Sequence, residues 1–235
     1  MLNPLRELGA LVARHGRSLI ADAISSLGAE DLDVVRDHVD WCVGTANKCL
    51  EGVPGTSFVC APRERLEALA DVPARTFYFD LAANYRAQVR KGSPQFTPAV
   101  QVLRALDAAL DLTLAEGVPA RTARYADRAA EIRTGLEERG IELLLPADQR
   151  SGSITNAHLS NGMTYGELHD GLKKHGYVIY ATQEKSAGVF RLANMGQLTG
   201  ADTAGFFRAF DEVIAGARPR APEPTAEKRD GAVIR

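Results

Sequence analysis

The sequence has few of the features that mark a secreted, membrane-bound or nucleic-acid-binding protein. Lysine and arginine total 28 against 30 for aspartate and glutamate, so no excess of positive charge indicates a nucleic-acid partner. No apolar run approaches the roughly 18 residues of a membrane span, and no signal-peptide pattern opens the chain. We therefore expect a soluble, cytoplasmic protein with neither a nucleic-acid nor a membrane partner.

Patterns for disulfides and metal sites are also missing. The three cysteines, Cys42, Cys49 and Cys60, form no CxxC pair, and the five histidines are scattered without metal-ligand spacing. We expect reduced thiols in a core role and no metal site. The hydrophobic content of 45% in 235 residues suits one large or two small globular domains.

A turn centred on Lys48 organises the chain. An apolar run through Trp41 and Val43 predicts a buried strand, which breaks into a polar turn before the glycine- and proline-containing residues 52–55. An ammonium held near apolar surface loses hydration, which lowers its pKa, and the neutral amine can then attack a carbonyl to form a Schiff base. A solvated lysine on a surface loop is the alternative.

A second signal is Asp22, an acid inside the strand-like apolar run of residues 18–28. An unpaired carboxylate is costly to bury, so a cation is expected beside it; a strand-end aspartate that caps the next turn is the alternative. The two strands are one short crossover apart, as neighbours in a parallel sheet are, so Asp22 and Lys48 are expected at one crevice. A buried acid and such a lysine are what pyridoxal phosphate requires, because the acid keeps the pyridine nitrogen protonated and the lysine holds the aldehyde.

Residues 1–92 predict an α/β domain built on a parallel sheet. A helix over residues 3–15, capped by Asn3 and with Pro4 in its first turn, comes first. Three strands follow, of which one ends at Asp22, one precedes Lys48 and the third covers residues 57–61. A helix-forming stretch then leads to an aromatic run, Phe77-Tyr78-Phe79, for which core or dimer packing is expected.

Residues 93–216 predict an irregular loop, long helices and a small α+β domain, followed by a disordered tail over 217–235. Helix-spaced apolar residues predict three helices, at 99–116, 120–139 and 165–175. Short apolar runs predict four strands, at 142–145, 153–159, 177–180 and 189–193.

Arg191 is a further candidate site residue. It alternates with apolar Phe190 and Leu192 on a predicted strand, which indicates partial burial. A partly buried arginine needs an anionic partner, and its planar fork matches a carboxylate through two parallel hydrogen bonds. A structural salt bridge is the alternative.

Three short blocks, in this order and spacing, resemble a known family. Residues 22–28 (DAISSLG), 45–49 (TANKC) and 52–55 (GVPG) are similar to blocks of the class V aminotransferases, and most closely of the 2-aminoethylphosphonate:pyruvate transaminases. The resemblance implies a fold-type I architecture, pyridoxal 5'-phosphate as cofactor and a homodimer. It also implies that Lys48 holds the cofactor covalently, that Asp22 and Ser25 help to bind it, and that Asn47 lies near its phosphate.

Two further roles follow from the resemblance. Thr97, in the loop of residues 93–98, corresponds to a loop that reaches the cofactor phosphate of the partner subunit; a helix cap for the run beginning near Pro98 is the alternative. Arg191, within residues 189–196, corresponds to the arginine that binds the substrate carboxylate.

The implied reaction moves an amino group from 2-aminoethylphosphonate, or a related amine, to pyruvate, giving phosphonoacetaldehyde and alanine, or runs in reverse in phosphonate biosynthesis. Gln95 and residues 182–183 (TQ) depart from degradative members, which commonly carry arginine and glycine-lysine there. An alanine:glyoxylate or serine:pyruvate aminotransferase therefore stays open, as does a non-catalytic remnant.

The resemblance begins part-way through the family's cofactor-binding domain. The family's upstream segment supplies a glycine-containing phosphate turn and a side chain that stacks on the pyridine ring. We therefore expect the chain alone to be an incompetent enzyme, through a truncated product, a misplaced start codon or a separate chain that completes it.

Overall fold

The structure, a computed structural model, describes residues 1–160, 162–181 and 188–216. Residues 182–183 and the predicted disordered tail lie outside these ranges. Within them the chain forms seven α-helices, namely α1 (Leu5–Arg14), α2 (Arg63–Ala68), α3 (Leu81–Lys91), α4 (Val100–Glu116), α5 (Val118–Glu137), α6 (Tyr165–Lys174) and α7 (Gly200–Gly216). The described strands are β1 (Ile20–Asp22), β2 (Trp41–Thr45), β3 (Ser57–Cys60), β4 (Ile154–His158), β5 (Tyr180–Ala181) and β6 (Val189–Ala193).

Strands β1, β2 and β3 form one sheet in that order. β1 and β2 run parallel, with Ile20 opposite Trp41 and Asp22 opposite Val43, which confirms the predicted pairing. β3 runs antiparallel to β2, so the expectation of a purely parallel sheet is wrong. Only residues 46–56 separate the two strands, which is too short for the helical crossover that parallel neighbours need.

Helix α1 precedes this sheet in the chain and packs against its core. It begins at Leu5, directly after Pro4, and has no side-chain cap, so the predicted capping role of Asn3 is wrong. The carbonyl oxygen of Asn3 instead accepts a hydrogen bond from the Leu5 N–H at 2.8 Å. Leu5 packs against the core of the first sheet, whose buried members are Ala21, Ala23, Val39 and Cys42.

Strands β4, β6 and β5 form a second, antiparallel sheet with β6 in the middle. Apolar side chains of β4, β6, α5, α6 and α7 share one core, to which Leu136, Leu168, Leu172, Phe190 and Phe210 contribute. Helix α6 begins with a capping box in which Thr164 and Glu167 bond to each other's backbone. The mixed α/β class predicted for the chain is confirmed.

Three elements differ from the predictions for the second half. The strand predicted at 177–180 covers only Tyr180–Ala181 within the described residues, because the Tyr177 N–H donates to the Leu172 carbonyl oxygen at the end of α6. Residues 142–145 form a single bridge, Leu143 to Ala157, instead of a strand, and Pro146 prevents its extension because proline offers no N–H. Helix α7 was not among the predicted elements. Its Phe206, Phe207 and Phe210 recur at helical spacing, a pattern typical of a core-facing helix.

Helices α4 and α5 agree with the predicted long helices within two residues at each end. They meet at Gly117, whose φ of 82° lies in the region that glycine favours. Residues 93–98, before α4, are irregular as predicted. In the described ranges, we find no helix with the length and apolar character needed to cross a membrane.

Candidate functional site

Lys48 lies on the turn that follows β2, as predicted. The turn is closed by two backbone hydrogen bonds, from Glu51 N–H to the Lys48 carbonyl oxygen at 3.0 Å and from Gly52 N–H to the Ala46 carbonyl oxygen at 2.8 Å. The Lys48 side chain is half-buried. Its ammonium makes no hydrogen bond or salt bridge to any residue that the structure describes. The amine is therefore available to a ligand.

Asn47 is exposed beside Lys48 and is held through Thr45. The Thr45 hydroxyl lies 3.0 Å from Asn47 Oδ1 and 3.0 Å from the Thr56 carbonyl oxygen. Because a hydroxyl carries one proton, it donates to one of these oxygens at a time. The amide group of Asn47 therefore has a preferred direction while its nitrogen stays accessible.

Asp22 is the last residue of β1, and its side chain is exposed, so the expectation of a buried carboxylate paired with a cation is wrong. Its Oδ1 accepts a hydrogen bond from the Ile24 N–H at 3.0 Å, which is the turn-capping geometry considered as the alternative. The physical reason is the alternation of faces along a strand. Ala21 points into the core, and Ile20 and Asp22 point to the opposite face, which is exposed.

A cleft of about 950 Å³ lies between the first sheet and the second. Three of the predicted site residues, Asp22, Ser25 and Arg191, line it together with residues 1–8 and parts of β4. Asn47, Lys48 and Thr97, which the structure also describes, do not line this cleft. The fold thus brings together an acid, a hydroxyl and a guanidinium from sequence positions far apart.

Arg191 lies on the central strand β6, half-buried between the buried Phe190 and Leu192, as its pattern predicts. Its Nε donates to Asn156 Oδ1 at 3.3 Å. Among the described residues no carboxylate pairs with it, so the structural salt bridge considered above is not found there. The two terminal nitrogens of the guanidinium remain for an anion.

Thr97 is exposed in the irregular residues 93–98. The alternative role of helix cap is wrong, because α4 begins at Val100 after Ala99 and has no side-chain cap. Next to Thr97, the ring of Phe96 stacks on Tyr78 with centroids 5.0 Å apart. The exposed hydroxyl therefore lies beside an aromatic cluster on the surface.

A buried polar network behind the Lys48 turn was not predicted. Arg121 has only 1% of its side chain exposed, and it donates through Nη1 to the Cys49 carbonyl oxygen at 3.0 Å and pairs through Nε with Glu116 at 2.9 Å. Arg124 donates to Glu116 and Glu51. Arginine and glutamate on helical patterns normally face solvent, so the sequence carries no local signal for this network.

Glu51 and Cys49 are among the titratable groups of this region whose pKa values are shifted. Burial raises the pKa of Glu51, but hydrogen bonds from Gln197, Tyr125 and Arg124 outweigh it and bring the pKa below its usual value. Burial raises the pKa of the Cys49 thiol to about 11. The Cys49 thiol donates to the Ser25 carbonyl oxygen at 3.3 Å, which agrees with the core role expected for it. Within the described residues no cluster of metal-ligating side chains occurs.

The sequence profile of the family named Aminotransferase class-V matches residues 1–201. The chain is 36% identical over 201 residues to a 2-aminoethylphosphonate–pyruvate transaminase of Paraburkholderia phymatum, covering 84% of this chain and 54% of that protein. It is 34% identical over 213 residues to a protein of the same name from Salmonella paratyphi B, covering 89% and 58%. The chain thus spans little more than half the length of these relatives.

Solved structures have the same fold. A pyridoxamine–pyruvate aminotransferase from Mesorhizobium loti superposes with a TM-score of 0.82 at 26% identity, covering 91% of this chain and 56% of that one. A ureidoglycine–glyoxylate aminotransferase from Bacillus subtilis superposes with a TM-score of 0.83 at 21% identity, covering 91% and 57%, and supports the fold alone.

Proposed function

Because the chain belongs to the class-V aminotransferase family, whose cofactor is pyridoxal 5'-phosphate, we propose that it takes part in amino-group transfer between 2-aminoethylphosphonate and pyruvate. The names of the Paraburkholderia and Salmonella relatives support this pair of substrates. One structural observation carries the proposal: β1 pairs in parallel with β2, so the strand that ends at Asp22 and the strand that leads to Lys48 finish at the same edge of a sheet.

The side chains near this edge fit pyridoxal phosphate by the chemistry of their donor set. Lys48 offers the aldehyde an amine that has no hydrogen bond or salt bridge to any described residue. Asp22 uses Oδ1 for the Ile24 N–H, which leaves Oδ2 for the protonated pyridine nitrogen. Asn47 offers an amide nitrogen to the phosphate, and Ser25 adds a hydroxyl on the cleft.

When bound, the cofactor supplies the electron sink that lets the amino-bearing carbon of the donor lose a proton. Asp22 holds the proton on the pyridine nitrogen, because a nearby carboxylate favours the charged form. Lys48 would hold the aldehyde group of the cofactor through Nζ. The same nitrogen would accept the proton from the donor's amino-bearing carbon and return a proton to the carbon of pyruvate that becomes the amino-bearing carbon of alanine.

Arg191 binds the carboxylate of pyruvate or alanine in this proposal. Its Nε is engaged by Asn156, so the fork of two terminal nitrogens meets the carboxylate through two parallel hydrogen bonds. Arg191 shares the cleft with Asp22 and Ser25, which supports a common site. The carboxylate is thereby held while Lys48 acts on the carbon next to it.

The proposal includes a homodimer in the cytoplasm, in which Thr97 reaches the phosphate bound by the partner subunit. Support for the dimer comes from the aromatic cluster beside Thr97: Phe77 is 82% exposed and packs edge-on against Phe96. A contiguous exposed apolar patch is typical of an interface. Light scattering of the chain and of Phe77→Ser tests it, and a native chain that is monomeric at micromolar concentration contradicts it.

The proposal also assigns residues 1–92 to the cofactor-binding domain and residues 93–216 to the inter-domain loop, helices and small domain. A second candidate, an alanine:glyoxylate or serine:pyruvate aminotransferase, is favoured by Gln95. Its Oε1 is buried and has no partner among the described residues, whereas an arginine at that position would offer charge to a phosphonate.

The test is borohydride reduction of the chain incubated with pyridoxal phosphate, followed by peptide mapping. We expect the label on Lys48 and not on the other lysines, which are Lys91, Lys173, Lys174, Lys185 and Lys228. A panel of amino donors, each tested with pyruvate and with glyoxylate as acceptor, then separates the two candidates. Label on another lysine contradicts the site, and faster transfer to glyoxylate than to pyruvate contradicts the substrate pair.

A further inference from the structure

Glu51 adopts an unusual backbone conformation three residues after Lys48. Its φ is 63°, in the left-handed region that residues with a Cβ rarely occupy. In this conformation its N–H donates to the Lys48 carbonyl oxygen at 3.0 Å. Such a backbone is strained for a residue with a Cβ and persists only where other contacts hold it. The side chain of Glu51 supplies those contacts.

The Glu51 carboxylate, whose side chain is 12% exposed, accepts hydrogen bonds on both oxygens. Oε1 accepts from the Tyr125 hydroxyl at 2.9 Å and from Arg124 Nη2 at 3.0 Å, and Oε2 accepts from Gln197 Nε2 at 2.6 Å. Arg121 Nη1 lies 3.5 Å from Oε1. The carboxylate therefore joins the Lys48 turn to helix α5 and to the residues that follow β6.

The same helix holds the chain that leaves β6. The Gly196 N–H donates to the Tyr125 hydroxyl at 3.1 Å, and Arg124 Nη1 donates to the Gly196 carbonyl oxygen at 3.0 Å. The Asn194 amide donates to the Tyr125 carbonyl oxygen at 3.1 Å. The Tyr125 hydroxyl accepts a hydrogen bond from the Gly196 N–H and donates its single proton to Glu51. Tyr125 therefore links the carboxylate of Glu51 to the backbone of Gly196. Residues 194–197 directly follow the strand that carries Arg191.

We propose that Glu51 is a positioning residue that ties the Lys48 turn to the end of β6, so that the amine and the carboxylate-binding Arg191 are held as one unit. The proposal rests on the function proposed above for these two residues. Glu51 and Glu116 together balance the charges of Arg121 and Arg124, so charge balance does not distinguish the two carboxylates. Glu51 is the carboxylate that also contacts Tyr125 and Gln197.

Hydrogen exchange measured by NMR on the full chain tests this tie. In Glu51→Gln the amides of residues 51, 52 and 196 should exchange at least about tenfold faster than in the native chain, because a charged, multiply bonded acceptor is lost. The matched control is Glu116→Gln, which removes the other carboxylate from the same arginines. It should leave those three amides within about twofold of their native rates.

Chemical labelling reports on Lys48 itself without any cofactor. The rate of acetylation of Lys48 by acetic anhydride, relative to Lys91 in the same chain, should rise severalfold in Glu51→Gln and stay unchanged in Glu116→Gln. If Glu51→Gln fails to fold, Tyr125→Phe and Gln197→Ala each remove one bond to the carboxylate. The amide of Gly196 should then exchange faster in Tyr125→Phe, and Lys48 should be acetylated faster in both variants.

Native exchange rates at residues 51, 52 and 196 in Glu51→Gln overturn the proposal, as do equal effects of the Glu51 and Glu116 variants. Where Glu51→Gln does not fold, unchanged Lys48 acetylation in both Tyr125→Phe and Gln197→Ala overturns it. In the enzyme loaded with pyridoxal phosphate, Glu51→Gln should lower kcat and raise the KM for pyruvate together. The proposed function fails separately, if borohydride labels a lysine other than Lys48 while the exchange results stand.

Discussion

Asn156 lies directly opposite Arg191 in the antiparallel register of β4 and β6, and its amide oxygen accepts a hydrogen bond from the guanidinium Nε at 3.3 Å. The amide therefore fixes the plane of the guanidinium. Because Nε already donates to Asn156, the two terminal nitrogens are the part of the guanidinium that can bind a carboxylate.

In the competent enzyme, replacing Arg191 with lysine should impair the half-reaction with alanine about tenfold to a hundredfold, since the charge stays but the two-point fork is lost. The half-reaction with 2-aminoethylphosphonate should suffer less, because that donor has no carboxylate. Single-turnover absorbance changes of the cofactor measure both. Asn156→Ala should have a smaller effect in the same direction. Arg150→Lys, at another arginine that lines the cleft, is the control, and equal losses in both half-reactions would contradict the assignment.

Asp22 allows its capping and cofactor roles to be separated by two substitutions. Asn keeps an oxygen for the Ile24 N–H, so Asp22→Asn should unfold at nearly the native temperature, whereas Asp22→Ala should lose about 1 kcal/mol. In the competent enzyme both substitutions should remove most of the transaminase activity, because neither residue carries the negative charge that keeps the pyridine nitrogen protonated. Thermal unfolding and turnover are the two measurements. A fully active Asp22→Asn enzyme would rule out the cofactor role.

Asp37 should make stability depend on pH. Its buried carboxylate accepts from Arg36 at 2.8 Å and from Arg6 at 3.2 Å, and the hydrogen bonds from Arg36 in particular hold its pKa well below the usual value. A lowered pKa in the folded state stabilises the protein above the unfolded pKa of about 3.9, and this stabilisation is lost as the pH falls through the folded pKa.

Asp37→Asn should therefore unfold at lower urea concentration than the native chain at pH 7, and the difference should shrink below about pH 4. Fluorescence of Trp41, the single tryptophan, follows the transition. Asp107→Asn changes an exposed salt bridge and serves as the control, for which we expect little change at either pH. A pH-independent difference would contradict this role for Asp37.

Two glycines in helices should respond to alanine with opposite signs. A Cβ at Gly9 in α1 would overlap the backbone carbonyl oxygen of Asp37, so Gly9→Ala should destabilise by about 1–3 kcal/mol despite its better helix propensity. At Gly166 in α6 the nearest atom is Thr164 Oγ1 at 3.9 Å, so Gly166→Ala should stabilise by about 0.5–1 kcal/mol. Urea unfolding at pH 7 measures both, and a stabilised Gly9→Ala would show that α1 is not packed this closely.

Local patterns were sufficient to predict the common sheet edge of Asp22 and Lys48. Each strand has its own apolar run, and a short connection between such runs favours parallel neighbours. The exposure of Asp22 could not be predicted in the same way, because it depends on which face of β1 the rest of the chain covers. Ala21 faces the core and Asp22 the opposite face, and nothing in the residues next to Asp22 indicates which face is covered.

Glu51 marks the limit of sequence-based prediction at the candidate site. Its partners Arg124, Tyr125 and Gln197 lie 73, 74 and 146 positions further along the chain. Arginine, glutamine and glutamate are mostly surface residues, and no local sequence pattern indicates that residues so far apart in the chain contact each other. The half-buried position of Arg191 could be predicted, because this residue alternates with the apolar Phe190 and Leu192 along the strand.

The long separations within the Glu51 network have a consequence for folding. Loop closure between segments 146 positions apart costs chain entropy before any contact compensates for it, whereas the cores of α5, α6 and α7 form from nearer neighbours. We expect the Lys48 turn to take its final shape late in folding, and to open first under mild denaturant. Protease cleavage at residues 46–56 should therefore precede cleavage within α5 as urea rises.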